Sequence, residues 1–251
     1  MSPTPHWALR QRLSPSVRHR VRALVDPLLV RRFGSWRATG SSTHVALTFD
    51  DGPDPDVTPP LLDLLDEMSA PSTFFLLVGQ CRKWPALAAE TAARGHEIAL
   101  HGIDHSRLTD MASAEATSYI CSARDELEAL VGRSVRLYRP PYGAQTVRSY
   151  RAVRRAGMQV VVWSADAEDW VDRMVNEVVA DAMANVGPGG ILLLHERLEP
   201  DPLRGAPVTT FDRCAVVRGV IEECRRYGLE PGRVGDLVAT SGAISTAWFR
   251  P

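Results

Sequence analysis

From residue 44 onward the chain alternates between two hydrophobic rhythms. Short apolar and β-branched runs occur at 44–49, 73–78, 97–100, 135–138, 159–163 and 191–194, with the length and composition of buried strands. Between them, apolar residues recur at three- and four-residue intervals over 58–68, 85–94, 113–131, 147–156 and 173–185, the spacing of helices with one buried face. A last helical window at 211–227 precedes another short strand candidate. Strands separated by helix-length crossovers pair in parallel, since tight turns join only antiparallel neighbours. Seven rounds of this alternation suit a distorted (β/α) barrel better than an open sheet. The expected class is therefore α/β, with one domain over 44–240 and a C-terminal tail over 241–251.

Residues 1–43 break the rhythm. They carry eight Arg against a single acid, Asp26, and end in the loop-like run TGSST. Val17, Val21, Leu24, Val25 and Leu28 recur at helical spacing, with Arg18, Arg20 and Arg22 mostly off that stripe and Pro27 capping or kinking it. The segment reads as a basic N-terminal arm. Three roles stay open for it: packing on the outer face of the barrel, disorder, or peripheral contact with an anionic membrane surface, where each basic residue contributes about 1 kcal/mol.

Composition narrows the class further. The 251 residues are 45% hydrophobic with a net charge of −1, so the chain can bury a core, and it has no general basic face for nucleic acid. No run of 18 apolar residues exists to span a bilayer, so no transmembrane segment is expected. The start lacks an unbroken apolar stretch of signal-peptide length, which predicts a cytoplasmic protein. Lys83 is the one lysine and lies between Arg82 and Trp84, a setting that offers nothing to Schiff-base chemistry. Cys81, Cys121, Cys214 and Cys224 lack metal-like spacing and read as reduced packing residues.

The unusual polar residues fall at the C-terminal ends of the strand candidates, where parallel α/β folds assemble their sites. Thr48-Phe49-Asp50-Asp51-Gly52-Pro53 places two carboxylates after a strand; the run suits a helix-entry turn, or one Asp binding a cation while the other serves as base. His101-Gly102-Ile103-Asp104-His105 sets two imidazoles four residues apart, either as surface histidines or as a chelating pair that Asp51 would complete. Arg139-Pro140-Pro141-Tyr142-Gly143 is an irregular loop, structural or aimed at a developing oxyanion. Asp166-Ala167-Glu168-Asp169-Trp170 is a solvated acidic loop or the source of a partner for His195, which ends the run at 191–194.

Taken together and in this order, the five segments resemble the motifs of the polysaccharide deacetylase family, carbohydrate esterase family 4 with its NodB-homology domain, over about 44–240. The resemblance implies a distorted (β/α) barrel and a divalent metal, usually zinc, held by Asp51, His101 and His105. It implies Asp50 as general base oriented by Arg139, the Tyr142 backbone N–H as an oxyanion donor, and His195, held by Asp169, as general acid. Trp170 and Leu193 would line the acetyl end of the pocket. The implied reaction removes N-acetyl groups from amino sugars of a polysaccharide or oligosaccharide and releases acetate. Two other readings stand beside it: a related deacetylase or deformylase acting on a small or lipid-linked precursor, and a non-catalytic carbohydrate-binding module. One departure concerns Gly102, where the family usually has Ser or Thr, so a loop-stabilising hydroxyl is missing.

Overall fold

The computed structural model describes residues 29–200, 205 and 208–250. The stripe at Val17–Leu28 and part of the loop at 197–211 lie outside these residues. The strands are β1 (Gly34–Thr39), β2 (His44–Asp50), β3 (Thr73–Leu77), β4 (Glu97–Gly102), β5 (Leu137–Tyr138), β6 (Gln159–Val160), β7 (Ala165–Asp166), β8 (Ile191–His195), β9 (Glu230–Gly232) and β10 (Ala243–Ala247). The helices are α1 (Thr58–Glu67), α2 (Val78–Lys83), α3 (Pro85–Ala93), α4 (Ser113–Val131), α5 (Val147–Arg155), α6 (Val175–Asn185), α7 (Arg213–Arg226) and α8 (Val234–Ser241).

Local chemistry sets the helix ends. Prolines open α1 and α3, where the missing N–H costs nothing. Thr146 and Asp212 cap α5 and α7 through side-chain oxygens, and Gly132 ends α4 at φ 65.

The large sheet runs β6-β5-β4-β3-β2-β8-β7 with β9 beside the start of β2, and its pairings are parallel, as expected from the crossovers. The sheet curls into a half-barrel. Between β6 and β8 lies β1: Trp36 bridges to Val161 and Ala38 to Gly190. Thus residues 34–39 of the expected arm form a strand against the barrel, and their antiparallel partner is β10, within the expected tail. The strand candidates at 135–138 and 159–163 shrink to two paired residues each, and 73–78 ends at Leu77 because Val78 begins α2.

Period-two alternation divides the sheet into two cores. Val45, Leu47 and Phe49 of β2, with Phe74, Leu76, Leu100, Leu192 and Leu194, join the large core beneath the helices. Ala46, Phe75, Ala99, Leu137, Val161 and Ile191 form the smaller core on the opposite face, inside the curl, closed by Val234 and Leu237 of α8. The four cysteines are free thiols, with Cys81 and Cys224 buried in the large core. None of the described helices is long and apolar enough to cross a membrane.

Candidate active site and metal centre

Continuing the inward-facing rows by one step reaches the polar residues. Asp50 lies two beyond Thr48, His101 two beyond Ala99, Arg139 two beyond Leu137, and His195 two beyond Leu193. Parallel registration then gathers them at one rim: Asp50 pairs in register with His195, and the Arg139 N–H donates to the Leu100 carbonyl at 3.0 Å. The chain leaves this rim through left-handed residues. Asp51, His105, Tyr142 and Glu168 have φ of 71°, 63°, 57° and 46°, the kind of backbone strain that persists where surrounding structure holds it.

Asp51, His101 and His105 offer ligand atoms within 4.8 Å of one another. Asp51 Oδ1 lies 3.4 Å from His101 Nε2 and 3.5 Å from His105 Nε2. The donor set fits a divalent cation on three grounds. Asp51 Oδ1 is buried and has no hydrogen-bond partner among the described residues. The other oxygen, Oδ2, accepts the Glu199 N–H at 3.0 Å, which fixes the carboxylate. His101 Nδ1 faces the Arg139 carbonyl at 2.9 Å, so it carries the proton and leaves the Nε2 lone pair toward Asp51. Burial, with the charge of Arg139 behind it, lowers His101 to about 3; burial, with His101 beside it, lowers His105 to about 3. Both imidazoles are therefore neutral near neutral pH, the state that ligates metal. Burial lifts Asp51 to about 7, a cost that a bound cation would offset.

Asp50 divides its two oxygens between Arg139 and the edge of that group. Its Oδ1 accepts from Arg139 Nη1 at 2.6 Å, while Oδ2 lies 3.7 Å from His101 Nε2. Arg139 is fully buried, stacked 4.0 Å from the Phe75 ring centroid, and donates also to Thr48 Oγ1 at 2.8 Å. Burial raises the Asp50 pKa and Arg139 opposes that rise.

Across the rim stands a contrasting pair. His195 Nδ1 contacts Asp169 Oδ1 at 2.7 Å, and the His195 backbone N–H donates to Asp169 Oδ2 at 2.8 Å. Burial opposes a charged imidazole, but the charge and hydrogen bond of Asp169, with Asp51 and Asp50 beyond, raise His195 to about 9. For Asp169, burial is outweighed by His195 and Arg213, which lower its pKa. Trp170 stands edge-on to His195, ring centroids 5.8 Å apart, and is 39% exposed; Leu193 is buried one row below. The Tyr142 ring packs on His105 at 4.3 Å with the Arg107 guanidinium 4.1 Å over its face. Nine of the ten expected residues thus lie on this rim with Leu193 in the row beneath it, whereas Asp166 of the fourth segment is engaged by Trp163 Nε1 at 3.1 Å.

Sequence reasoning missed four contributors. Glu196 is buried behind the Asp50–Asp51 turn, accepts from Thr58 Oγ1, and is lifted by burial to about 8. Its carboxylate fills the space where a Cβ on Gly52 would stand. Glu199, whose N–H holds Asp51, is itself held by Gln80 Nε2 at 2.6 Å and by Arg197. Tyr119 reaches from α4 to the metal loop: the Ile103 N–H donates to its hydroxyl at 2.7 Å, and that hydroxyl donates to Asp104 Oδ1 at 2.9 Å. Gly102 has φ 121°, and a Cβ there would lie 3.2 Å from the Tyr119 hydroxyl, so this tyrosine supplies a loop hydroxyl beside the glycine. The fourth is Arg213, against Asp169. Glu196 directly follows the strand-end His195, where an acid beside that histidine could have been read; Glu199, Tyr119 and Arg213 are marked only by their contacts in three dimensions.

The polysaccharide deacetylase model matches residues 37–161. A chitooligosaccharide deacetylase of Azorhizobium caulinodans is 34% identical over 203 residues, spanning 78% of this chain and 95% of that protein. A peptidoglycan-N-acetylglucosamine deacetylase of Bacillus cereus is 32% identical over 164 residues, 64% of this chain and 76% of that one. The solved structure of the Bc1960 peptidoglycan N-acetylglucosamine deacetylase superposes with a TM-score of 0.73 at 26% identity, covering 84% of this chain and 94% of its own. With the strand-end site assembled on a shared fold and the likeness running through nearly the whole length of one relative, this chain belongs to the polysaccharide deacetylase family.

Proposed function

We propose that the protein is a hydrolase that removes the N-acetyl group from an amino sugar of a polysaccharide or oligosaccharide, releasing acetate and a free amine. The observation that carries this reading is the division of one rim into two halves. On one side lie Asp51, His101 and His105, with neutral imidazoles and a carboxylate oxygen that has no hydrogen-bond partner among the described residues; on the other lies a charged His195–Asp169 pair; Asp50 sits between them. Asp51, His101 and His105 would hold a divalent cation, zinc in our reading because two imidazoles and a carboxylate suit it, whose chemistry is carbonyl polarisation and acidification of water.

The remaining work falls to the chain. Asp50, oriented through Oδ1 by Arg139 with Oδ2 free to face the triad, accepts the proton of the attacking water at its carboxylate. The Tyr142 N–H donates to the oxyanion as the carbonyl becomes tetrahedral. His195, protonated at Nε2 because Asp169 holds Nδ1, donates to the departing nitrogen, which lets the amine leave neutral. Trp170 and Leu193 enclose the methyl group of the acetyl. The relatives' glycan substrates support an N-acetylglucosamine oligomer over a small precursor.

Acetate release from chitooligosaccharides, peptidoglycan fragments and N-acetylglucosamine, each with and without a chelator, tests the reading. Chelator-sensitive release from the oligomers is expected. Release only from the monosaccharide would favour the precursor hydrolase, and binding without release would favour a carbohydrate-binding module. For the arm, we propose peripheral attachment to anionic membrane through its arginines, a role separable from the chemistry.

A further inference from the structure

Arg213, the first residue of α7, reaches back across the rim and touches three segments at once. Its Nη1 donates to Asp169 Oδ2 at 2.9 Å and to the His195 carbonyl at 3.1 Å. Its Nη2 donates to the Asp169 carbonyl at 3.4 Å and to Thr209 Oγ1 at 3.1 Å. The Phe211 ring lies against the guanidinium at 5.3 Å, and Asp212 caps α7, so the base of the arginine is anchored as well as its tip. Asp169 therefore has both oxygens occupied: Oδ1 by His195 Nδ1, and Oδ2 by the His195 N–H together with Arg213. A carboxylate pinned at both oxygens cannot rotate, and neither can the imidazole it holds.

We propose that Arg213 is a positioning residue for His195: it locks Asp169 and the end of β8 in one geometry, and its charge limits how tightly Asp169 retains the imidazole proton. The proposal rests on the reading of His195 as proton donor. His195 is faced by Asp169 from the loop after β7, by Asp50 and Asp51 from the end of β2, and by His101 and His105 from β4 and its loop. Arg213 acts on it through Asp169, whose lowered pKa owes part of its depression to the guanidinium. Taking that charge away leaves Asp169 a stronger attractor for the imidazolium. The acid then holds its proton to higher pH and gives it up less readily, and the freed carboxylate lets the ring wander from the leaving nitrogen.

The test uses the full-length, metal-loaded protein with Arg213→Gln and Arg213→Lys. The His195 ring is followed by NMR titration, with its signal assigned by loss in His195→Ala, and kcat and KM are measured on a chitooligosaccharide. Arg213→Gln is expected to move the His195 midpoint upward and to lower kcat by roughly 10–100-fold, the range for groups that orient a functional side chain, with KM little changed. Arg213→Lys restores the midpoint by keeping the charge, yet recovers kcat only in part, since one ammonium cannot span the same acceptors. Folded variants with the wild-type His195 midpoint in Arg213→Gln and kcat within twofold in both would overturn the proposal. Should Arg213→Gln fail to fold, wild-type kcat in Arg213→Lys overturns it equally. Wild-type turnover in His195→Ala would instead sink the proton-donor reading, while the His195 titration would still report on the clamp.

Discussion

His101 and His195 both end strands that face the inside of the barrel, yet their surroundings drive the two imidazoles in opposite directions. His101 Nδ1 meets a backbone carbonyl at 2.9 Å, with the Arg139 charge close by, and burial leaves the ring neutral. His195 Nδ1 meets a carboxylate at 2.7 Å, and that charge overcomes the same burial. A neutral partner presents Nε2 as a lone pair, and an anionic partner presents it as a proton. One residue type thus supplies a metal ligand and an acid within one rim, distinguished by what stands behind the ring. Asp50 and Asp51 show the same division among carboxylates, since Arg139 engages the first and the Glu199 N–H fixes the second toward the histidines.

The most severe way to break this contrast is to remove the metal half. Asp51→Ala and His101→Ala are expected to lose both the bound cation and measurable turnover. Asp50→Asn should keep the cation and lose nearly all turnover. Metal-to-protein ratios after dialysis, read beside acetate release, check this pair of outcomes. An empty Asp50→Asn with a loaded Asp51→Asn would reverse the two roles.

The acid half should tolerate damage better. His195→Ala is expected to keep its metal and to slow turnover by roughly 10²–10⁴-fold, the usual worth of a positioned acid. Because Asp169 lifts His195 to about 9, the proton it donates is present at neutral pH and is lost as pH rises through that value. Activity at saturating substrate should fall on that alkaline limb. Asp169→Asn removes the group that raises the imidazole, so the limb moves to lower pH. Stability carries the same sign: a folded pKa above the ordinary histidine value stabilises the fold below that ordinary value, and the contribution disappears as pH rises through about 9. An alkaline limb unmoved by Asp169→Asn would show that another group sets it.

What the sequence made legible follows from locality. Each of Asp50, His101, Arg139 and His195 closes a short apolar run, so one segment at a time reveals a strand and the polar residue at its end. The helix at 113–131 was equally readable, because nineteen residues of consistent periodicity leave little to choose. Residues 34–39 escaped because their partner, β10, lies some two hundred positions later, and neither strand has a strong pattern of its own. Arg213, Glu199 and Tyr119 escaped for a related reason. Arginine on a helix and tyrosine on a helix face look like ordinary surface residues until the barrel brings Asp169 and Ile103 to them.

Tyr119 sharpens the comparison at the metal loop. Gly102 lets the backbone take φ 121°, a conformation costly for any side chain, and the Tyr119 hydroxyl ties the next residues to α4. Tyr119→Phe removes two hydrogen bonds and no ligand. Its expected effect is a metal affinity weaker by roughly 10-fold, at the lower end for groups that orient ligands. A competition titration with a chelating dye measures it, and kcat of the fully loaded variant should stay close to wild type. The His195 side should be untouched, so the alkaline limb keeps its place.

The smallest effect on chemistry is expected from the arm, and it tests whether either half of the rim depends on it. Residues 1–28 hold five arginines and one acid, Asp26, and none of the groups at the rim. The cut must stop there. Phe33 is buried against Tyr150 and Phe249, and β1 lies across the opening of the barrel, so a deletion reaching residue 40 would remove part of the fold itself. Deleting 1–28 should leave kcat and KM on a soluble chitooligosaccharide within about twofold, since the cut removes none of the proposed ligands or acid–base groups. Sedimentation with anionic vesicles should fall sharply at low salt, because the attraction of the arginines for the surface is lost with them. Binding that survives the deletion, or that never occurs in the full chain, would remove the membrane role. A deletion that lowers turnover without unfolding the protein would instead show that the arm reaches the rim.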